Sequence, residues 1–226
     1  MVSAKQFPAL LVALALLAAA CGSSSDASTA DVPDDAGSSG EAETSNDAGS
    51  SAAIVSISND GTTALEGHTP RGFAGSGVGL FAGDNLNPNF PNGEGIQILL
   101  TFALPSNVGT PSQATLRSDV VSTSGNAFEA LGNLRAAQVE YDAFGPELFN
   151  IEPIGGFVNC ERPTDSSLTC DVTNAATNAI TSGNSSVQIQ LTFDELSDND
   201  GEQDLVLFNN GDSNLNESGL FTLELT

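Results

Sequence analysis

The chain has 226 residues, of which 29 are Asp or Glu and only five are Lys or Arg, a formal charge of −24. Phosphate binding depends on clustered Lys and Arg releasing counterions, so this balance argues against nucleic acid as a partner and disfavours anionic lipid headgroups. Hydrophobic residues make up 39%, with no Trp and one Tyr, so a core can form around few large anchors, and the length suits one globular domain with additional segments.

At the N-terminus, Lys5 and the terminal amine form a small positive region, residues 7–17 are almost wholly apolar, and Ala18, Ala19 and Ala20 precede Cys21. This is the layout of a secretory signal peptide over residues 1–20. A transmembrane anchor is the weaker reading, because the apolar run is shorter than the ~18 residues a span needs. A small-residue run ending in Cys resembles the lipobox of bacterial lipoproteins, in which the Cys becomes the new N-terminus and carries fatty acyl chains such as palmitate. Ala18 stands where that pattern usually has Leu, and ordinary cleavage after Ala20 is the alternative. Lipidation of Cys21 would make the membrane a partner and place the chain at the bacterial cell envelope, on the outer membrane or cell surface.

Residues 21–53 follow the signal with Ser, Ala, Asp, Gly, Thr and Glu, seven acidic side chains and no basic one. Such a segment cannot bury enough apolar surface to offset its ordering entropy, so a disordered acidic linker is expected, with a coil span on the order of 30 Å. The folded domain is then residues 54–226, with 22 acidic residues and four Arg.

In that domain the dominant signal is period-2 alternation. Val187, Ile189, Leu191 and Phe193 alternate with Gln188, Gln190 and Thr192, and Ile96, Ile98, Leu100, Phe102 and Leu104 form a second such face, with Leu99 and Ala103 on its other side. Further strands are expected at residues 53–58, 77–82, 113–122, 134–142, 157–160, 168–171, 204–209 and 219–225, separated by Gly, Pro, Asn and Asp. About ten short strands with turn signals between them indicate an all-β fold, a jelly-roll-like antiparallel β-sandwich. One segment departs from alternation: Val172, Ala175, Ala176, Ala179 and Ile180 recur at helical spacing, which predicts one short helix near residues 173–181, capped by Asp171 or Thr173 and ended by Gly183.

Three cysteines in an exported chain leave one over if two pair. Lipidation accounts for Cys21, and Cys160 and Cys170 flank one polar loop, which suits a disulfide in an oxidising compartment. Zinc is the competing reading, but it needs further ligands, and the sole histidine, His68, is distant in sequence.

The order of segments resembles the extracellular β-sandwich modules named for the DNRLRE signature. The residues that carry the resemblance are Leu99-Leu100-Thr101-Phe102-Ala103-Leu104-Pro105-Ser106, Ala114-Thr115-Leu116-Arg117, Asp171-Val172-Thr173 and Phe221-Thr222-Leu223-Glu224-Leu225, over roughly residues 77 to 226. Thr101 stands where the family has Arg, Gly219 where a Pro often precedes the last strand, and the name-giving signature is absent. The resemblance implies a jelly-roll module of cell-surface proteins, some of which bind carbohydrate.

Chemistry is sparse. His68 is read as a surface-loop histidine, since no nucleophile-elbow pattern accompanies it. The glycines of residues 75–79 lack a complete phosphate-loop fingerprint. In the acidic stretch after residue 193, Asp198, Asp200, Glu202 and Asp204 place oxygen donors at every second residue around Gly201, as a hard cation such as Ca²⁺ requires, although the spacing is not that of an EF-hand. A solvated acidic hairpin loop is the alternative. Phe73 and Phe90 lie among Gly, Asn and Pro and are candidate ligand-contacting rings, against the plainer role of pinning loops onto the core. The expected function is that of a lipid-anchored, non-catalytic envelope module for binding or adhesion, with a glycan or an envelope protein as partner. The alternatives are an architectural envelope lipoprotein that binds another protein and a carboxylate-based polysaccharide-active enzyme.

Overall fold

The computed structural model describes residues 53–71, 80–86, 95–119, 121–164, 166–208 and 220–226. The leader, Cys21, the linker through residue 52, Phe73, Phe90 and the glycine-rich residues 75–79 lie outside the described residues. Strands in chain order are β1 (Val55–Ser58), β2 (Gly61–Glu66), β3 (Thr69–Arg71), β4 (Leu80–Asp84), β5 (Ile96–Ala103), β6 (Ala114–Ser118), β7 (Val121–Ser124), β8 (Leu134–Gln138), β9 (Ile154–Asn159), β10 (Glu161–Thr164), β11 (Ser167–Asp171), β12 (Ser186–Phe193), β13 (Asp204–Phe208) and β14 (Thr222–Leu225). Helix α1 (Ala127–Ala130) lies between β7 and β8, a 3-10 turn (Pro146–Asn150) between β8 and β9, and helix α2 (Thr173–Thr181) between β11 and β12.

The strands form two antiparallel sheets. One runs β1-β14-β6-β11-β10; the other runs β7-β13-β4-β5-β12-β8-β9, with β2 paired to β3 and β5. The last three strands each insert between two earlier ones: β12 between β5 and β8, β13 between β4 and β7, β14 between β1 and β6. This makes the fold an all-β, jelly-roll-like sandwich. Its register explains the alternation, since Val187, Ile189 and Leu191 stand opposite Phe102, Leu100 and Ile98 and send three apolar pairs to one face. Across the interior they meet Ile57, Leu116, Leu168 and Leu223 of the smaller sheet in one buried cluster.

The expected helix is α2. Asp171 accepts the Thr173 N–H (3.0 Å) and hydroxyl (2.6 Å), while Thr173 Oγ1 accepts the Ala114 N–H (2.9 Å), so the segment is tied to β6 as it turns helical. Those bonds to Thr173 hold the Asp171 carboxyl below its ordinary range. At the other end, Gly183 takes a left-handed conformation (φ 75°), its N–H donates to the Ile180 carbonyl, and the Asn184 N–H donates to that of Ala179, a Schellman closure. Ala175, Ala176 and Ala179 face the core, and their small side chains let α2 contact β6 of one sheet and β12 of the other.

Cys160 and Cys170 form a disulfide, with Cα atoms 4.2 Å apart. Cys160 sits at the corner where the chain leaves β9 of the large sheet for β10 of the small one, and Cys170 is buried in β11. The bond therefore secures that change of sheet to the core.

Two expectations are corrected, and four short or doubly buried elements are added. Residues 113–122 are not one strand but β6 and β7, in opposite sheets, because the buried phase set by Ala114, Leu116 and Ser118 shifts by one before Val121. The strand expected to reach residue 142 ends at Gln138; beyond it Val139 turns to a second, smaller cluster with Leu65, Leu99, Leu148 and Phe149 on the outer face of the large sheet. Beneath the 3-10 turn this cluster also buries β2, whose Thr63 and Leu65 are as enclosed as Ala64 on the inward side, so no alternation announces the strand. Short β3 and β10 each contain a Pro, and α1 is four residues long, too brief to establish a period.

Candidate functional site

The acidic stretch joins β12 to β13 at one end of the sandwich. Its own side chains fold it: the Asn199 N–H donates to Ser197 Oγ (3.0 Å), the Asp200 N–H to Asp198 Oδ1 (3.2 Å) and the Glu202 N–H to Asp200 Oδ1 (2.7 Å). Asn199 (φ 62°) and Gly201 (φ 81°) occupy the left-handed region that such a tight path demands, one tolerated by Asn and the other by Gly.

Both ends of the loop are held. At its start, Asp194 Oδ2 accepts the Asn133 N–H (2.8 Å) and side-chain amide (2.9 Å), and Arg135 lies 3.1 Å from Oδ1. The Asn133 backbone bond, with the amide and Arg135, holds the Asp194 carboxyl below its ordinary range. At its end, Asp204 opens β13 and accepts the Asn126 N–H through Oδ1. Gly125 makes this approach possible: it has φ 72°, and a Cβ there would collide with the Gln203 carbonyl and the Asp204 carboxylate.

Asp198, Asp200 and Asp204 thereby bring carboxylate oxygens within 4.8 Å of one another, the first two exposed and the third buried. Glu202 is exposed and lies outside that group. Asp84 enters from the neighbouring strand, directly opposite Asp204 in the β4–β13 register. Asp84 is 9% exposed and Asp204 4%, so two carboxylates are withdrawn from water behind two that are not. Burial, and then the charges of Asp198, Asp204 and Asp200, push the Asp84 carboxyl above its ordinary range, against a hydrogen bond with Ser197. Asp84 is the residue that the spacing of the acidic stretch could not reveal. Its signal was the phase of β4, where Leu80, Ala82 and Asp84 share the inward face.

Such a donor set, all oxygen and partly preorganised, fits a hard cation. His68 stands in the β2–β3 turn (φ 62°), exposed, with its ring 4.5 Å from that of Phe149 and Nδ1 3.3 Å from the Asn150 side-chain amide. It packs on the 3-10 turn of the outer face. No protein-family model matches the chain, and a search of curated proteins returns no match.

Proposed function

We propose that this protein is a lipid-anchored, non-catalytic module of the bacterial cell envelope, which holds its sandwich away from the membrane for binding or adhesion. The observation that carries the reading is the way the sandwich closes: β1 begins at Val55 and pairs with β14, Val55 opposite Leu225. The signal-like leader, Cys21 and the acidic linker all precede that strand in sequence, and they would serve export and reach. In this reading Cys21 carries the acyl chains, and the resemblance to the DNRLRE-named modules supports the same surface role. Membrane partition of the full chain, compared with a Cys21→Ser variant, is the test: the wild type goes with membranes and the variant is released.

Calcium belongs to the same proposal. Asp198, Asp200 and Asp204, backed by Asp84, would hold the ion, and Glu202 would sit at the rim. Carboxylates 4.8 Å apart repel by about 1 kcal/mol per pair in bulk water and several times more in partly desolvated surroundings, and a divalent cation turns that cost into coordination. The ion would then brace the start of β13 and the acidic end of the sandwich.

A further inference from the structure

Among the described residues the two sheets end at β1, β3, β7, β9 and β10. A free edge exposes unpaired N–H and C=O groups that can take another strand, and folded proteins blunt it with Pro, bulges or cover. β3 carries Pro70 and β10 carries Pro163, and the register of β10 is broken. β9 bulges at Gly155 and Gly156, both at positive φ, and the Val121 N–H at the head of β7 is taken by the Ser166 carbonyl (3.0 Å). β1 has none of these devices: Val55–Ser58 pairs with β14 in unbroken register and contains no Pro, Gly or charged residue.

The Asn59 N–H donates to the Phe221 carbonyl (3.1 Å), which fixes the phase: Val55 and Ile57 turn their main-chain groups to β14, and Ser56 and Ser58 turn theirs away from it. The same phase carries across β14, where the Thr226 N–H turns to the β6 side and donates to the Gln113 carbonyl (3.0 Å). Ser56 and Ser58 are exposed, while Val55 and Ile57 pack on the core. Just before the strand, Ile54 is 66% exposed, the most exposed large apolar side chain among the described residues. Charge around this edge is negative. Glu224 stands opposite Ser56, Asp60 follows the strand, and β1 and β14 hold no basic residue. Arg117, one strand further in, is paired with Asp119 (2.8 Å).

We propose that the free edge of β1 takes up an extended basic segment of a partner protein as an added strand. Ser56 and Ser58 each offer it one N–H and one C=O, and main-chain bonds of this kind supply the affinity of strand addition. Alternate apolar residues of the segment continue the inward row of Val55 and Ile57. Lys or Arg between them lies on the outer face, two strand spacings or about 10 Å from the row of Glu224, within reach of a long side chain. A second copy of this chain is disfavoured as the occupant, since it would bring another Asp60, Glu224 and a domain of 22 acidic residues and four Arg against the first. The inference rests on the binding role proposed above and names the partner chemistry that this role would serve.

The experiment titrates the full chain in detergent with a capped peptide of alternating Lys and Val, following calorimetric heat and, by NMR, amide exchange at Ser56 and Ser58. The comparisons are the same peptide with Glu for Lys, and a form N-methylated throughout that keeps the charge and loses every main-chain donor. The Lys peptide should bind saturably, more weakly at high salt, and slow exchange at both serines, while the other two peptides should not bind. Ser56→Pro removes one outward donor and spares the ladder to β14, so it should weaken binding roughly three- to tenfold, the fold-change of a main-chain hydrogen bond, with melting close to wild type. If that variant fails to fold, the N-methylated peptide makes the same test on the unaltered protein. Binding without protection of Ser56 and Ser58, or equal binding of all three peptides, overturns the edge assignment. Concentration-dependent dimers with no peptide binding make a second copy the occupant and overturn it too. Binding of no peptide overturns the inference and leaves the envelope role to the partition test.

Discussion

Reduction of the Cys160–Cys170 bond releases a loop of sequence separation 10, for which chain entropy assigns about 3 kcal/mol. In a domain of this size each kcal/mol moves the midpoint by about 2–4 °C, so melting should fall by roughly 6–12 °C under reducing conditions. The substitution used to break the bond matters, because Cys170 is 1% exposed among apolar neighbours. Cys160→Ala with Cys170→Ala should resemble the reduced wild type. Cys160→Ser with Cys170→Ser buries a hydroxyl in β11 and should lose about 1–3 kcal/mol more if that group finds no partner. Calorimetry of oxidised, reduced and doubly substituted protein, with thiol titration to verify reduction, measures each step. The fold should survive in every case, since the sandwich core spans both sheets independently of the bridge. An unchanged midpoint after verified reduction would refute the entropic reasoning, and loss of any cooperative transition would refute the claim that the core stands without the bond.

Calcium should raise the melting temperature of the wild type and chelator lower it, whereas Asp198→Asn with Asp200→Asn should flatten the response at fixed ionic strength; equal responses would mark a merely solvated loop. Because the Asp84 carboxyl is raised above its unfolded value of about 3.8, its ionisation opposes folding. Its contribution is fully favourable below that value and is lost as pH rises through the folded value. In chelator Asp84→Asn should therefore melt higher than the wild type at neutral pH and converge with it in acid, with the order at neutral pH reversed in calcium; a constant offset across pH would contradict the assignment. Gly125→Ala should destabilise by about 1–3 kcal/mol from its left-handed backbone alone, and further by displacing Asp204, a loss that denaturant titration would measure.

What was legible in the sequence depended on how many faces an element buries. β5 and β12 bury an inward face in period 2, so their alternation reads directly, and α2 shows its helical stripe of Ala between Asp171 and Gly183. β2 is enclosed on both faces, and its Thr, Ala and Leu carry no period to read. The disulfide followed from counting cysteines, as it involves two residues ten apart. Asp84 could not follow from spacing, because it meets Asp204 only through the β4–β13 register across 120 residues. The open side of β1 was hidden for the same reason: it is an edge only because β14, the last strand, takes its other side.

The central claim, that the sandwich is carried on a lipid at the envelope, is tested most directly by the intact mass of the mature chain produced in a bacterial host. The expected result is a polypeptide beginning at Cys21 with the added mass of acyl chains, and its loss from the membrane fraction in Cys21→Ser. A mature chain beginning at Cys21 without acyl mass would contradict it.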